Sequence, residues 1–96
     1  DLFDLARSLV DLGVCTIIHT DIERDGMMRG PNLELSTQLA AESGAEVIVS
    51  GGMRGMEDVH AVAGAARAGR GIAGAIIGKA IYEGRLDLRA ALEAVR

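Results

Sequence analysis

Hydrophobic residues along the chain follow two patterns, one with the period of a helix and one made of short apolar runs. Near the start, Leu2, Leu5, Leu9 and Leu12 are spaced by three or four residues, with polar residues between them. This spacing predicts an amphipathic helix with a leucine stripe, and Gly13 ends it.

Three short apolar runs predict strands that begin near residues 14, 46 and 72. Their apolar segments are Val14–Ile18, Val47–Val49 and Ile72–Ile77. Each run is too short for a helix and lacks a clean apolar and polar alternation, which is typical of parallel strands buried on both faces.

Further helices are predicted after each strand. Asn32 is the expected N-cap of a helix that Gly44 ends in a left-handed conformation. A helix over about 56–68, closed by Gly69, has a buried face of small residues, and Asp87 is the expected N-cap of the last helix. The residues of that small-residue face are Val59, Val62, Ala63 and Ala66, and the last helix carries Leu88, Leu92 and Val95.

The order of elements predicts an α/β fold with parallel strands. One helix precedes three strand–loop–helix units, and strands joined by helical crossovers run parallel. Apolar parallel strands need cover on both faces, so the candidates are a doubly wound sheet and part of a (β/α) barrel. We see no linker or domain boundary.

Charge and composition exclude several classes of function. Ten Lys and Arg against fourteen Asp and Glu give a formal net charge of −4, and no basic run is present, so we expect no nucleic-acid partner. The apolar runs are far shorter than the ~18 residues of a membrane span, so we expect no membrane partner and a cytoplasmic location.

The cysteine and histidines indicate no metal or disulfide chemistry. Cys15 is the single cysteine, which excludes an internal disulfide, and its place in the first apolar run predicts a core position. His19 and His60 have no Cys or His at ligand spacing, so we predict no zinc site.

All three predicted strands end in polar or glycine-rich sequence. These ends are His19-Thr20-Asp21, Ser50-Gly51-Gly52 and Gly78-Lys79-Ala80. Ligands of parallel α/β folds bind at the carboxyl edge of the sheet, and glycines there let backbone N–H groups approach an anion. A phosphate site at the last two strand ends is one interpretation, and plain strand-to-helix turns are the other.

The loop after the first strand carries a candidate acid or base. Asp25 precedes Gly26 in a charged, glycine-rich segment, where a carboxylate could act as a general acid or base or remain a solvated loop residue. Thr20 could hydrogen-bond a ligand or only cap its strand end, and Asp21 could orient a neighbour or cap the loop.

Four motifs, kept in order and spacing over essentially the whole chain, carry a family resemblance. They are HTDIERDG at 19–26, GPN at 30–32, VSGG at 49–52 and IGKAIYEG at 77–84. The chain resembles the carboxyl-terminal part of the phosphoribosylformimino-5-aminoimidazole carboxamide ribotide (ProFAR) isomerases of histidine biosynthesis. The cyclase subunit of imidazole glycerol phosphate synthase shares part of this pattern, and a dual-substrate isomerase is a further alternative. The Thr20-Asp21 pair favours an isomerase.

The resemblance implies a (βα)8 TIM barrel that converts ProFAR to PRFAR by an Amadori rearrangement, without cofactor or metal. By similarity, Asp25 is the general acid and Thr20 assists it. The substrate is a ribose-aminoimidazole compound with a phosphate at each end. The residues implied in binding one of these phosphates are Ser50, Gly51, Gly52, Gly78 and Lys79.

The resemblance also implies that residues 1–96 form a single partial-barrel segment, from the end of unit 5 through unit 8. A full barrel has eight strands, so the first-strand aspartate and the second phosphate site lie outside this sequence. The expected partner is the amino-terminal part of the barrel, or another copy that associates through the open sheet edges.

Two further functions stay open. One is a partial-barrel module that binds phosphorylated ligands without catalysis. The other is a doubly wound nucleotide-binding domain, which is disfavoured because Gly69, Gly71 and Gly74 precede or interrupt a strand instead of opening a helix.

Overall fold

The computed structural model describes residues 1–20, 31–78, 81, 84 and 86–95. In chain order, the elements of this part are α1 (Leu2–Asp11), β1 (Thr16–Thr20), α2 (Leu33–Ser43), β2 (Glu46–Ser50), α3 (Met56–Arg67), β3 (Ile72–Ile76) and α4 (Leu88–Ala94). The predicted order of one helix followed by three strand–helix units is confirmed.

The three strands form one parallel sheet in the order β1-β2-β3. Thr20 pairs with Ser50, and Ser50 pairs with Ile76, so the carboxyl ends of all three strands lie at the same edge. Three parallel strands that alternate with helices confirm the predicted α/β class and are consistent with part of a (βα)8 barrel.

The helix starts and ends follow the predicted capping residues. The Asn32 side chain accepts a hydrogen bond from the backbone N–H of Leu35 at 3.2 Å, and Gly44 ends α2 with a φ of 81°. Asp87 caps α4 through the backbone N–H of Arg89. These caps depend on neighbours in sequence, so the sequence alone could predict them.

The core lies between the sheet and the helices α2 and α3. Leu39 of α2 and Val47 and Val49 of β2 are almost fully buried, with small side chains around them. Close packing is clearest at Gly71, where an added Cβ would lie 2.6 Å from the Cβ of Ala40. Small residues therefore let α2 lie directly against the chain that enters β3.

The opposite face of the sheet is exposed in the described part of the chain. Ile18 is 58% exposed and Ile76 is 47% exposed, and burial along β1 and β2 alternates. The expectation of strands buried on both faces is therefore wrong for the described residues. A strand can carry apolar residues on both of its faces, but each face is buried only where another layer of structure packs against it.

The apolar faces of the helices are only partly covered in the described part of the chain. In α1, Ala6 is the buried residue and Phe3 packs against the core, whereas Leu2, Leu5 and Leu12 are exposed. In α3, Val59, Val62 and Ala63 are buried as predicted, whereas Ala66 is exposed and Ala65 is buried. In α4, Leu88, Leu92 and Val95 are about half exposed, and Ala91 is buried. Helical periodicity marks an apolar face, but the position of the neighbouring layer decides which residues are covered.

Cys15 is exposed, so its predicted core position is wrong. Pairing between β1 and β2 begins at Thr16 and Glu46, which leaves Cys15 before the strand. Its thiol donates a weak hydrogen bond to the carbonyl of Gly13 at 3.7 Å. The first strand thus starts two residues later than the apolar run, because pairing with β2 sets where it begins.

Candidate functional site

Two of the predicted site residues are neighbours at the carboxyl edge of the sheet. Thr20 ends β1, Ser50 ends β2, and the two are paired. Paired residues of adjacent strands point to the same face, with the strands about 4.8 Å apart. Thr20 is exposed and Ser50 is half-buried, so both hydroxyls lie on the face away from α2 and α3.

Gly51 and Gly52 turn the chain sharply after β2. Their φ angles are 94° and 81°, which residues with a Cβ rarely adopt. Both glycines are buried. This is why the sequence needs two consecutive glycines here, and their backbone comes close to the same edge as Ser50.

The amino-terminal end of α3 follows this turn. Gly55 is its N-cap and supplies no side-chain hydrogen bond to the first turn. The first N–H groups of a helix have no partner within the helix and carry partial positive charge. Together with the glycine turn, this helix end forms the kind of environment in which anions bind.

An ion pair between the exposed Arg54 and the buried Asp58 lies in the same turn. Asp58 is 3% exposed, and Arg54 donates hydrogen bonds to both of its carboxylate oxygens at 2.8 and 3.0 Å. Burial by itself would raise the pKa of Asp58, but its hydrogen bonds and charge pairing with Arg54 hold that pKa below its ordinary value. This pair was not predicted from the sequence, because Arg54 precedes α3 and its orientation depends on the turn.

A second buried polar contact joins β1 to α2. His19 Nδ1 and Ser36 Oγ lie 2.8 Å apart, and both side chains are buried. The donor depends on the tautomer of the ring. His19 precedes Thr20 in the strand, so it faces the helices while Thr20 faces the opposite side. From the sequence, His19 was part of the polar end of the first strand and an improbable zinc ligand, and its contact with Ser36 was not predicted.

The remaining predicted site residues are only partly covered by the structure. Gly78 is exposed, two residues beyond the end of β3. Asp21, Asp25 and Lys79 lie outside the described residues. The structure therefore brings Thr20 together with Ser50, Gly51 and Gly52 at one edge, with Gly78 after the neighbouring strand, and the roles of all these residues stay predictions.

A groove in the described part of the chain lies elsewhere. It has a volume of about 580 Å³ and runs between α3, β3 and α4, with a lining mainly of alanine, valine, leucine and isoleucine. Such a lining does not suit a phosphate. Among residues 1–20, 31–78, 81, 84 and 86–95, no group of three His, Cys, Asp or Glu side chains could hold a metal ion. Nor is any helix in these ranges long and apolar enough to cross a membrane.

Comparison with known proteins places these features in a family. Residues 1–87 match the family model described as histidine biosynthesis protein. Three of its relatives are named 1-(5-phosphoribosyl)-5-((5-phosphoribosylamino)methylideneamino) imidazole-4-carboxamide isomerase. The chain is 53% identical to the one from Hahella chejuensis over 88 residues, which are 92% of the chain and 35% of the relative.

Two other relatives give a similar picture. The chain is 52% identical to the isomerase of Halorhodospira halophila over 93% of its own length and 35% of the relative. It is 50% identical to that of Cereibacter sphaeroides over 97% of its length and 37% of the relative. The chain thus spans little more than a third of the length of these curated relatives. The resemblance seen in the motifs is confirmed, and the chain belongs to the histidine biosynthesis protein family.

Proposed function

We propose that the chain is part of an isomerase that converts an aminoaldose phosphate, ProFAR, to the aminoketose phosphate PRFAR in histidine biosynthesis. The observation that carries this proposal is the 53% identity to a relative of that name over 92% of the chain. The names of the relatives support an isomerase over the related cyclase. We further propose a cytoplasmic location, because a phosphorylated metabolite does not cross membranes unaided.

Residues 1–96 correspond, in this proposal, to a single segment from the end of unit 5 through unit 8 of a (βα)8 barrel. The parallel order β1-β2-β3 and the 35% share of the relative's length support this placement. The partner is then the amino-terminal part of the barrel, which supplies the first strand and the second phosphate site.

In the proposed reaction two proton transfers accompany a ring opening. Asp25 protonates the ribose ring oxygen, the ring opens to a protonated Schiff base, and a base from the amino-terminal part removes the proton from the adjacent carbon. The resulting enolamine tautomerises to the ketose, so no atom is gained or lost. Thr20 assists Asp25, and its exposed position at the end of β1 supports this role.

One substrate phosphate binds at the carboxyl edge. The buried positive-φ turn at Gly51 and Gly52 and the uncapped start of α3 support an anion there, while Ser50, Gly78 and Lys79 complete the site. No cofactor or metal takes part. Binding of the remote phosphates positions the reacting carbons, which raises the rate only if the phosphate sites are rigid.

A chimera tests the activity. The matched 88 residues of the Hahella chejuensis isomerase are replaced by the present sequence, and ProFAR turnover is measured. We expect an active chimera in which Asp25→Asn lowers kcat by about 10²- to 10⁴-fold, the usual contribution of a general acid.

Asp11→Asn is the matched control for that substitution, since Asp11 is an exposed carboxylate at the end of α1, and it should leave kcat unchanged. A folded chimera without isomerase activity would contradict the proposed function. Turnover of phosphoribosyl anthranilate by the same chimera would indicate the dual-substrate alternative.

A non-catalytic phosphate-binding module is the second candidate. It is favoured by one observation, namely that Gly51, Gly52 and the start of α3 are already arranged within the 96 residues themselves. In that case the chain binds phosphate, but the chimera shows no turnover.

A further inference from the structure

Asp58 is a buried carboxylate in the first turn of α3, directly beside the proposed phosphate site. Its exposed fraction is 3%, whereas the side chain of its neighbour Glu57 is 66% exposed. A buried carboxylate is costly unless it is paired and hydrogen-bonded. The contacts that compensate for the burial of Asp58 therefore need to be identified.

The contacts of Asp58 tie the helix to the turn that precedes it. Its Oδ2 accepts a hydrogen bond from the backbone N–H of Arg54 at 2.7 Å and a second from Arg54 Nε at 3.0 Å. Its Oδ1 accepts one from Arg54 Nη2 at 2.8 Å. One residue thus fixes both the backbone and the side chain of Arg54.

The segment held in this way is the one that carries the glycines. Gly51 and Gly52 adopt positive φ, Met53 is buried in the core with 4% exposure, and Arg54 is held by Asp58. The turn is therefore anchored immediately after its two most flexible residues. Anion binding through backbone N–H groups needs such preorganisation, because a mobile loop would lose entropy on binding.

The opposite charges of Arg54 and Asp58 are compatible with an anion site at the start of α3. A lone carboxylate in the first turn of α3 would repel an anion at the helix start. Arg54 offsets the charge of Asp58 at hydrogen-bond distance, so Asp58 can order the turn while its own charge is paired. The other carboxylate of this turn, Glu57, is exposed and lies 4.0 Å from Arg54 Nε.

We infer that Asp58 is a positioning residue for the phosphate site, because its carboxylate holds Arg54 and thereby fixes the backbone of Gly51 and Gly52 for binding. Asp58 itself does not touch the phosphate. The inference rests on the proposed function, since it takes the proposed phosphate site as its object.

The first measurement separates this inference from the proposed site. Inorganic phosphate is titrated into the 96-residue chain, and backbone amide NMR shifts of Gly51 and Gly52 are followed together with calorimetry. Saturable binding is expected. Its absence at tens of millimolar phosphate would overturn the proposed site, and the role of Asp58 with it.

The second measurement compares two substitutions that remove the same formal charge. Glu57→Gln removes an exposed carboxylate near the helix start, so phosphate binding should stay the same or become tighter. Asp58→Asn should weaken it by about tenfold or more, as the loss of residues that position the ligands of metal sites does. Unchanged or tighter binding by a folded Asp58→Asn variant would overturn the inference while the phosphate site stands.

Arg54→Lys keeps the test valid if Asp58→Asn does not fold. Lysine keeps the positive charge but cannot donate to both carboxylate oxygens with a rigid fork. Because the charge is unchanged, a purely electrostatic role of the Arg54–Asp58 pair predicts wild-type affinity for phosphate. The positioning role predicts an affinity for phosphate that is several-fold weaker. Wild-type affinity in Arg54→Lys would contradict the inference.

Discussion

At the scale of single residues, the Arg54–Asp58 pair shows how one contact decides both local order and the response to pH. Arg54 donates three hydrogen bonds to the Asp58 carboxylate. These bonds are lost in the unfolded chain, where the carboxyl group returns to an ordinary pKa of about 3.9. The protonation of Asp58 is therefore linked to folding.

The direction of the shift sets the pH dependence of stability. The pKa of Asp58 is lowered in the folded protein, because the pairing with Arg54 outweighs the effect of burial. A group with a lowered folded pKa stabilises the fold above its unfolded pKa, and this contribution is lost as pH falls through the folded value. We expect the free energy of unfolding to fall below about pH 4, with a shallower decline in Asp58→Asn.

Urea titrations from pH 7 to pH 2 measure this prediction. Glu57→Gln is the control, since Glu57 is the exposed neighbour of Asp58, and it should keep the wild-type slope. Equal slopes in the wild type and Asp58→Asn would show that the pair contributes nothing to acid sensitivity.

At the scale of elements, the contact between His19 and Ser36 fastens β1 to α2. The two atoms lie 2.8 Å apart in a buried environment. Ser36→Ala would leave a ring nitrogen of His19 buried without a partner, at a cost of about 1–3 kcal/mol in the free energy of unfolding.

Ser8→Ala is the matched control for Ser36→Ala. The Ser8 hydroxyl donates to the carbonyl of Asp4 on the exposed side of α1, so its removal should change stability by less than about 0.5 kcal/mol. Thermal and urea unfolding of both variants measure the difference. If Ser36→Ala is no less stable than Ser8→Ala, the buried contact does not hold the two elements together.

At the scale of the whole molecule, the exposed face of the sheet is the main feature. Ile18 and Ile76 lie on this face with exposures of 58% and 47%, and the two outer strands of the described sheet have unpaired edges. Exposed apolar faces and unpaired edges promote association. In the proposed barrel, the amino-terminal part would cover the apolar face of the sheet and pair with its two outer strands.

We expect the 96-residue chain to self-associate as its concentration rises. The double substitution Ile18→Lys and Ile76→Lys should weaken this association by about tenfold or more, since burying one such side chain contributes about 1.5–3 kcal/mol. Both side chains are already exposed, so the folding cost should be small. Sedimentation velocity over a range of concentrations measures the effect.

Leu12→Lys serves as the control for association, because Leu12 is 83% exposed at the end of α1 and lies off the sheet face. It should associate as the wild type does. A chain that remains monomeric at all concentrations, or a double variant that associates like Leu12→Lys, would contradict a role for the sheet face.

The sequence by itself determined the features that depend on near neighbours. Asn32, Gly44 and Asp87 marked helix ends because capping involves residues at most four positions away. The apolar runs and their glycine-rich ends located the strands, the parallel class and the edge at which Thr20 and Ser50 meet. The family motifs could also be recognised, because each is a short continuous stretch of sequence and the four follow one another in a fixed order.

Only the tertiary structure decided which apolar surfaces are covered and which polar groups are paired. The leucine stripe of α1 was apolar enough for burial, yet Ala6 is the buried residue and Phe3 packs beside it against the core. Cys15 fell outside β1 because pairing with β2 begins at Thr16. His19 is hydrogen-bonded to Ser36, which is 17 residues away in the sequence. Burial and long-range pairing depend on the position of a second element in space, and a periodic pattern in one segment does not contain that information.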